Sequence, residues 1–141
     1  MKSGTYRTES EEQTIALGRE LGRDLKGVVL LIGNLGAGKT TLTKGIVEGL
    51  GVASADEVSS PTYTLVHQYG GTAGRVFHVD LYRLDEAREV ASMGLEDLFA
   101  GDDVVLLEWA ERFPELMPAK RTEIRIRALE GDAREIGVQA Q

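Results

Sequence analysis

The stretch that decides the fold of this chain is Val28-Val29-Leu30-Leu31-Ile32-Gly33-Asn34-Leu35-Gly36-Ala37-Gly38-Lys39-Thr40. Its first five residues are apolar and rich in β-branched side chains, which is typical of a strand buried on both faces of a parallel sheet. A glycine-rich loop follows, and apolar spacing predicts a helix from Lys39 to Leu50. A strand, a glycine-rich loop and a helix in direct succession predict an α/β domain.

Hydrophobic spacing predicts further elements on both sides of this stretch. A first helix is expected over Ser10–Leu25, because Ser10 and Gln13 fit a capping box and leucines recur at helical spacing. Gly70–Gly74 is expected to be a five-residue loop that joins two strands into an antiparallel hairpin. Strands are predicted at Tyr63–Tyr69, Arg75–Tyr82, Asp103–Glu108, around Ile124–Ile126 and at Ile136–Ala140, and a helix interrupted by Gly94 is predicted at Asp85–Phe99. This order predicts a three-layer fold with a mixed, mostly parallel central sheet.

Length and charge limit the kinds of protein that this chain can be. The 141 residues are expected to form a single domain, 1–141. A hydrophobic fraction of 42% and a charged fraction of 28% exclude disordered, collagenous and coiled-coil classes. With 16 Lys and Arg against 23 Asp and Glu, the net charge is −7. Because nucleic acid is polyanionic, any nucleic-acid role is expected to be indirect.

The absence of cysteine narrows the chemistry further. It excludes disulfides, Cys-ligated zinc, iron–sulfur clusters and a thiol nucleophile. His67 and His78 are the only histidines, which disfavours a His-rich metal site. Residues 1–20 have no apolar signal-peptide region, since Glu9, Glu11 and Glu12 interrupt them, and no apolar run is long enough to span a bilayer. We therefore expect a cytoplasmic protein that does not associate with membranes.

Residues Gly33–Thr40 match the Walker A pattern Gly-x-x-x-x-Gly-Lys-Thr in full. Glycines allow successive backbone N–H groups to turn toward a triphosphate, and the following helix N-terminus adds donors and a favourable dipole. Lys39 is expected to reach the β- and γ-phosphates, Thr40 to ligate Mg²⁺ and Thr41 to support the α-phosphate. The pattern follows an apolar strand and opens a helix, which is the expected context. We therefore predict a site for a nucleoside triphosphate with Mg²⁺.

Two strand-end carboxylates are candidates for the remaining metal and water chemistry. Asp80 ends the run Val76–Val79, and Glu108 ends Val104–Leu107, which is the better Walker B shape. The residues alone leave open which of them binds the metal and which aligns the attacking water. Thr62 lies in a hydroxyl-rich segment between the phosphate loop and Asp80, where P-loop switch proteins have a threonine that senses Mg²⁺ and the γ-phosphate. A turn entering a strand is the alternative interpretation.

Other features leave several alternatives open. Trp109, the only tryptophan, either packs on a nucleotide, contacts a partner or belongs to the core. Arg83, Arg112 and Arg134 either face the phosphates and base or are solvated surface residues. No Asn-Lys-x-Asp pattern follows, which disfavours a guanine-specific GTPase. Little chain remains for an acceptor subdomain, which disfavours a small P-loop kinase, although that reading and a nucleotide-gated binding module remain alternatives to an ATPase.

In combination, these motifs resemble the TsaE family, the bacterial ATPases of tRNA threonylcarbamoyladenosine biosynthesis. The resemblance covers nearly the whole chain. It rests on Gly33–Thr41, Ser60–Val66, His78–Leu84, Met93–Leu95 and Glu108-Trp109. Walker A alone is generic, but these segments in this order are highly specific. The resemblance implies a P-loop NTPase fold with a central sheet and a peripheral antiparallel hairpin.

The resemblance also implies roles for individual residues. Thr40 and Glu108 would be Mg²⁺ ligands, and Asp80 would have a hydrolytic or Walker B-like role. Thr62 would be the switch residue. The nucleotide-binding positions would be Glu11, Gly33, Gly36, Ala37, Gly38, Lys39, Thr40, Thr41, Trp109 and Arg134. Asn34 replaces an aspartate that members often have, which removes a charge but leaves the backbone cradle intact.

Partners are implied by the resemblance alone. They are TsaD, which transfers threonylcarbamoyl to adenosine 37 of ANN-decoding tRNAs, and its companion TsaB. ATP binding and hydrolysis by this chain would reset or regulate that complex, and tRNA would be contacted only indirectly. Since the sequence reveals no arginine finger, we expect hydrolysis to be slow alone and stimulated by partners.

Overall fold

The structure of the chain, a computed structural model, describes residues 3–34, 36–52, 66–71 and 74–140. The strands are β1 (Gly4–Thr8), β2 (Val28–Ile32), β3 (Val66–Gly71), β4 (Gly74–Asp80), β5 (Val104–Glu108), β6 (Thr122–Ala128) and β7 (Arg134–Gln139). The helices are α1 (Glu11–Asp24), α2 (Lys39–Gly49), α3 (Ala87–Ala91) and α4 (Leu95–Phe99), with 3₁₀ turns at Ala110–Arg112 and Pro114–Leu116. None of the helices in these ranges is long and apolar enough to cross a membrane.

The described strands form one seven-stranded sheet in the order β1-β7-β6-β2-β5-β4-β3. The neighbours β6, β2, β5 and β4 are paired in parallel. Antiparallel strands flank them, since β3 pairs with β4, β7 with β6 and β1 with β7. The predicted mixed sheet is therefore confirmed, but it is less parallel than predicted, since three of the six described strand pairings are antiparallel. Because the carboxyl ends of parallel strands meet at one edge, the segments that follow β2, β4 and β5 are brought together there.

Helices cover both faces of the sheet. Alternate residues of β2 point to opposite faces, so Val29 and Leu31 join a core cluster with α1 and α2. Val28 and Leu30 join a second cluster that includes Val90 of α3 and residues of α4 and β5. Every residue from Val28 to Leu31 is buried. This two-sided burial explains the uninterrupted apolar run and gives the three layers that the sequence predicts.

Helices α1 and α2 are in backbone contact through glycines. A Cβ added at Gly18 of α1 would lie 2.6 Å from the carbonyl oxygen of Leu42, and one at Gly45 of α2 would overlap the carbonyl of Ile15. Neither position therefore tolerates a side chain without movement of the helices. This close approach fixes the start of α1 relative to the start of α2.

Helix α1 begins and ends close to its predicted bounds. Ser10 is the N-cap, and its Oγ accepts a hydrogen bond from the backbone N–H of Gln13 at 3.1 Å. The helix ends at Asp24, with Leu25 as the C-cap. The predicted N-cap bond at Ser10 is confirmed, but the capping box is incomplete, because Oε1 of Gln13 accepts from the backbone N–H of Glu9 at 2.8 Å and not from that of Ser10.

The hairpin is tighter than predicted. Gly70 pairs with Arg75 and Gly71 with Gly74, so both strands extend into the segment expected to be a five-residue loop. Glycine has a low intrinsic preference for strands, but the hydrogen bonds between β3 and β4 keep these glycines in the strands. Residues 63–65 of the expected first strand lie outside the described ranges. The interruption predicted at Gly94 is confirmed, since α4 begins after it and Gly94 has a φ of 76°.

Strand β1 was not predicted. Gly4–Thr8 is short and polar, and it lacks the apolar alternation that indicates a strand. It forms because β7 offers an unpaired edge, with Gly4 opposite Val138 and Thr8 opposite Arg134. The pairing places the turn before α1 near the end of β7.

Candidate functional site

A cavity of about 510 Å³ opens at the carboxyl edge of the parallel strands. This volume is within the range of roughly 300–1,000 Å³ that small-molecule sites commonly have. The sequence-predicted residues that line it are Glu11, Gly36, Gly38, Lys39, Thr40, Thr41, Asp80, Glu108, Trp109 and Arg134. Arg83, whose position the sequence left open, also lines it, as do Thr14, Tyr82 and Asp132, which the sequence did not single out. The fold thus gathers residues from five separate segments of the chain into one site.

Two of the sequence-predicted residues that the structure describes, Gly33 and Ala37, are not among the residues that line the cavity. Gly33 approaches β6 closely, and a Cβ there would lie 2.7 Å from the carbonyl oxygen of Ile126. Ala37 is buried and packs in the core cluster beneath α2. Thr62 lies outside the described residues. Because a Cβ at Gly33 would overlap the backbone of β6, the loop can follow this path only with a glycine there.

The loop between β2 and α2 ends in a left-handed turn. Gly38, the N-cap of α2, has a φ of 108°, which side chains rarely adopt. No side chain caps the helix there. The first N–H groups of α2, from Lys39 and Thr40 onward, have no partner within the helix. Thr40 and Thr41 line the cavity at this end, so the helix start and its positive dipole end face the site.

Lys39 is buried at the centre of the site. Its Nζ donates a hydrogen bond to the carbonyl oxygen of Gly33 at 2.8 Å. The same nitrogen lies 3.9 Å from the centroid of the Trp109 ring and 3.8 Å from Oε1 of Glu108. The ammonium is therefore held between a carbonyl, an aromatic face and a carboxylate.

Burial lowers the pKa of Lys39 below its usual value, although the nearby charges of Glu108, Glu111 and Asp80 act in the opposite direction. Loss of hydration disfavours the charged ammonium. An anion bound in the cavity would favour it. The buried ammonium of Lys39 therefore remains open to stabilisation by a further negative charge in the cavity.

Asp80 and Glu108 end neighbouring parallel strands and are paired with each other in the register of β4 and β5. Oδ1 of Asp80 accepts a hydrogen bond from the backbone N–H of Tyr82 at 2.9 Å. The pKa of Asp80 is raised, chiefly because the carboxylate is partly buried and also because of the charge of Glu108, while the bond from Tyr82 opposes the shift. The two predicted carboxylates therefore occupy one corner of the cavity.

Glu108 is bound on its inner side by a histidine. Nε2 of His78 lies 2.5 Å from Oε2 of Glu108, and both side chains are buried. Sequence reasoning assigned no individual role at the site to His78. The sequence signal that could have placed His78 near the carboxylates is strand alternation, since His78 and Asp80 are two residues apart and share a face of β4.

Trp109 has an unusual backbone conformation for a large side chain. Its φ of 67° is the only positive φ of a non-glycine residue in the described ranges. Such a conformation costs free energy and persists only where the surroundings fix it. The ring packs against Tyr82, with centroids 5.2 Å apart and an angle of 50° between the planes. Trp109 is thus held between Tyr82 and Lys39.

Arg112 fixes the segment that follows β4. Its guanidinium donates to the carbonyl oxygen of Tyr82 at 2.9 Å and to that of Leu84 at 2.6 Å. Arg112 does not line the cavity in the described part of the chain. Its observed role is to hold Tyr82, and Arg83 beside it, at the rim of the site.

The opposite rim comes from β7 and from the start of α1. Arg134 donates through Nη1 to the carbonyls of Gly131 at 2.9 Å and Ala133 at 2.8 Å. Its Nε lies 3.3 Å from the position that a Cβ on Gly38 would take. Glu11 also lines this part of the cavity. The rim therefore brings a guanidinium next to the glycine loop.

The oxygen atoms at the site suit a hard divalent cation. The hydroxyl of Thr40 and the carboxylates of Asp80 and Glu108 line the same cavity, and Mg²⁺ prefers such ligands. Within the described residues, no group of three or more His, Cys, Asp or Glu side chains is placed to hold a metal ion. A Mg²⁺ ion that shares its coordination with phosphate oxygens and water needs only one or two protein ligands, so the residues fit that ion.

Comparisons with known proteins agree on one family. The family model of the threonylcarbamoyl adenosine biosynthesis protein TsaE matches residues 8–136. The tRNA threonylcarbamoyladenosine biosynthesis protein TsaE of Bacillus subtilis is 39% identical over 138 residues, covering 96% of this chain and 85% of the relative. The TsaE of Haemophilus influenzae is 42% identical over 114 residues, covering 81% and 70%. That of Treponema pallidum is 36% identical over 133 residues, covering 93% and 96%.

A solved structure has the same fold. The crystal structure of Bacillus subtilis YdiB superposes with a TM-score of 0.78 at 35% sequence identity, covering 99% of this chain and 86% of that one. The match includes the strands and helices that surround the cavity, since it extends over nearly the full length. On the family match and these relatives, the chain belongs to the TsaE family of threonylcarbamoyl adenosine biosynthesis proteins.

Proposed function

We propose that the chain is a Mg²⁺-dependent ATP-binding protein and slow ATPase that supports threonylcarbamoyladenosine formation at position 37 of ANN-decoding tRNAs. One observation carries the nucleotide part of this proposal. The Walker A residues Lys39 and Thr40 line a single cavity with the strand-end carboxylates Asp80 and Glu108. The strand–loop–helix order of β2 and α2 supports a P-loop NTPase fold. Family membership supports the pathway.

The glycine loop and the start of α2 would bind the phosphates. Backbone N–H groups around Gly36 and Gly38 would donate to phosphate oxygens, because glycine lets the loop turn tightly. Lys39 would exchange its contact with Glu108 for the β- and γ-phosphates. Its buried ammonium then gains a counter-charge, so binding energy is directed to the phosphates that change charge in the reaction.

Thr40 and Glu108 would hold the metal. Oε1 of Glu108 is directed toward Lys39, at 3.8 Å, and therefore toward the phosphate end of the cavity. When bound, Mg²⁺ would neutralise charge on the β- and γ-phosphates. Glu108 and Thr40 approach from different elements, β5 and α2, so they would orient the phosphates between them.

Asp80 would orient the attacking water. It is more exposed than Glu108, and its Oδ1 is fixed by the N–H of Tyr82 at 2.9 Å. A carboxylate with a raised pKa is a better proton acceptor near neutral pH than an ordinary one. The different surroundings of Asp80 and Glu108 thus support different roles for them.

The adenosine would lie toward the rim formed by α1 and β7. Glu11 and Thr14 come from the start of α1, and Arg134 from the start of β7. The hydroxyl groups of Thr14 and Thr8 are 2.7 Å apart, which ties β1 to α1 beneath this rim. Trp109 offers an aromatic face on the other side.

The proposed partners are TsaD and TsaB, with tRNA contacted only through them. A net charge of −7 makes direct binding of a polyanion unfavourable, so the positive charge of this chain serves locally around one triphosphate. In the described part of the chain, Arg134 is bound to two carbonyls. We therefore expect acceleration of hydrolysis to come from a partner.

The test is ATP binding and phosphate release by the purified chain, alone and with TsaD and TsaB. Lys39→Ala is expected to abolish binding. Lys44→Ala is the matched control, because Lys44 lies in the same helix but does not line the cavity. The proposal predicts slow, Mg²⁺-dependent phosphate release that increases with the partners and does not occur with Lys39→Ala.

Three outcomes would contradict the proposal. Fast hydrolysis that partners leave unchanged would exclude a partner-dependent ATPase. A phosphorylated acceptor in place of free phosphate would indicate a kinase. Full support of tRNA modification by a non-hydrolysable ATP analogue would indicate a nucleotide-gated binding module whose hydrolysis is incidental.

A further inference from the structure

We propose that His78 is a positioning residue that fixes the rotation of the Glu108 carboxylate, so that one oxygen of Glu108 is held by the protein and the other is kept for a divalent cation. This inference rests on the proposed function, in which Glu108 is a Mg²⁺ ligand. It assigns a function to a buried polar side chain that neither phosphate binding nor water activation uses.

The register of the sheet places the two residues together. His78 is paired with Leu106, and Asp80 with Glu108, on the parallel strands β4 and β5. Because alternate residues share a face, His78 lies beneath the two carboxylates. Nε2 of His78 is 2.5 Å from Oε2 of Glu108.

The two oxygens of Glu108 have different neighbours. Oε2 faces His78, whereas Oε1 lies 3.8 Å from Nζ of Lys39. The carboxylate is therefore oriented with one oxygen inward and one toward the cavity. Without the inner hydrogen bond it could rotate about its terminal bond and bring both oxygens toward the ammonium of Lys39.

Burial of the polar His78 side chain costs free energy of folding, which its hydrogen bond to Glu108 offsets only in part. Its side chain is completely buried. Nδ1 has no hydrogen-bond partner among the described residues. An unpaired buried nitrogen destabilises the fold, and an apolar side chain of similar volume would avoid this cost. Packing alone thus does not explain a histidine at this position, whereas the bond to Glu108 does.

Orientation of this kind matters to Mg²⁺ in particular. The ion requires near-ideal octahedral geometry, so a carboxylate that presents one fixed oxygen binds it better than a rotating one. Hydrogen bonds to the outer side of metal ligands commonly change metal affinity by roughly 10–100-fold. His78 is placed to make such a bond.

Three substitutions separate the hydrogen bond from the packing. His78→Gln keeps an N–H donor at the place of Nε2. His78→Asn puts its amide near the place of Nδ1 and loses the contact with Glu108. His78→Leu removes the contact together with the unpaired nitrogen and retains an apolar side chain in the core. Val76→Ala is the matched control, because Val76 is buried on the same face of β4 and pairs with Val104.

The readout is the coupling between metal and nucleotide. The affinity for the β,γ-imido analogue of ATP is measured by calorimetry, once with Mg²⁺ and once with EDTA, and the ratio of the two dissociation constants is the coupling factor. We expect His78→Asn and His78→Leu to reduce this factor by about 10-fold or more. Affinity in EDTA should stay within about 2-fold, and His78→Gln should keep most of the coupling. Val76→Ala should lower Tm and leave the coupling factor unchanged.

The inference is overturned if the variants that lose the donor, His78→Asn and His78→Leu, keep the wild-type coupling factor. It is also overturned if His78→Gln loses as much coupling as His78→Leu. A wild-type chain without any metal coupling would instead refute the proposed function, since Glu108 would then not serve Mg²⁺. If His78→Asn does not fold, the comparison of His78→Leu with His78→Gln decides the question.

Discussion

Asp80 and Glu108 lie directly opposite each other on the neighbouring parallel strands β4 and β5. One is partly exposed and fixed by the N–H of Tyr82, and the other is buried against His78. The pKa of Asp80 is raised, chiefly because its carboxylate is partly buried and further because of the negative charge of Glu108. Glu108 is therefore a buried carboxylate with a fixed orientation, and Asp80 is the more accessible carboxylate of the pair.

Asp80→Asn is expected to keep ATP and Mg²⁺ binding and to slow hydrolysis by roughly 10²-fold or more, because the amide cannot accept a proton from water. Binding is measured by calorimetry and hydrolysis by phosphate release with the partners present. Asp97→Asn, on the exposed face of α4, is the control. If Asp80→Asn instead removes Mg²⁺ affinity, the roles of Asp80 and Glu108 must be exchanged.

The pH dependence of stability should reveal the same residue. Since the folded-state pKa of Asp80 is raised above 3.8, the folded state binds this proton more tightly than the unfolded state. The contribution of Asp80 to the free energy of unfolding is therefore greatest below 3.8 and decreases as the pH rises through the raised value. Urea unfolding of wild type and Asp80→Asn across this range should show their difference falling with pH. A difference that is constant with pH would contradict the raised pKa.

Trp109 should report nucleotide binding by fluorescence. It is the only tryptophan, so no other residue of this type contributes to the emission. Its ring lies 3.9 Å from Nζ of Lys39, and phosphates that draw this ammonium away change the environment of the ring. Titration with ATP and Mg²⁺ should change the emission of wild type, and Lys39→Ala should show no change. An unchanged wild-type spectrum at saturating ATP would place the nucleotide elsewhere.

Arg134→Ala is expected to weaken ATP binding by about 10-fold, an effect of roughly 1.4 kcal/mol. The reason is the position of its Nε beside Gly38 in the phosphate loop. Arg127→Ala is the control, since Arg127 is an exposed residue of β6 paired with Glu135. Equal effects of the two substitutions on the dissociation constant would mean that only overall charge matters.

Gly45→Ala is expected to destabilise the chain by about 2 kcal/mol, because its Cβ would overlap the carbonyl of Ile15 and force α1 and α2 apart. Gly137→Ala in β7 is the matched control, since a Cβ there meets no atom within 4 Å. Unfolding by urea measures both. ATP affinity should fall only for Gly45→Ala, because the start of α1 moves with the helix. Equal stabilities would show that the helix contact adapts without cost.

Much of the strand–loop–helix element that carries the Walker A pattern could be predicted because its parts are neighbours in sequence. The buried strand Val28–Ile32, the glycine loop and the helix that begins at Lys39 are contiguous, and each is specified by side chains within a few residues. The capping of α1 by Ser10 is equally local. The strand-end positions of Asp80 and Glu108 follow from apolar runs directly before them. These features depend on backbone preference and on the period of apolar residues.

Only the tertiary structure determined which segments that are distant in the sequence come into contact. β1 is a strand because it pairs with the edge strand β7, and no local sequence pattern predicts this pairing. His78 and Glu108, 30 residues apart, meet because β4 and β5 are neighbours in this register. The positive φ of Trp109 also depends on surroundings that the local sequence does not specify. The sequence by itself determined a Walker A loop and two strand-end carboxylates. The order of the strands, which depends on how the whole core packs, determined which side chains orient them.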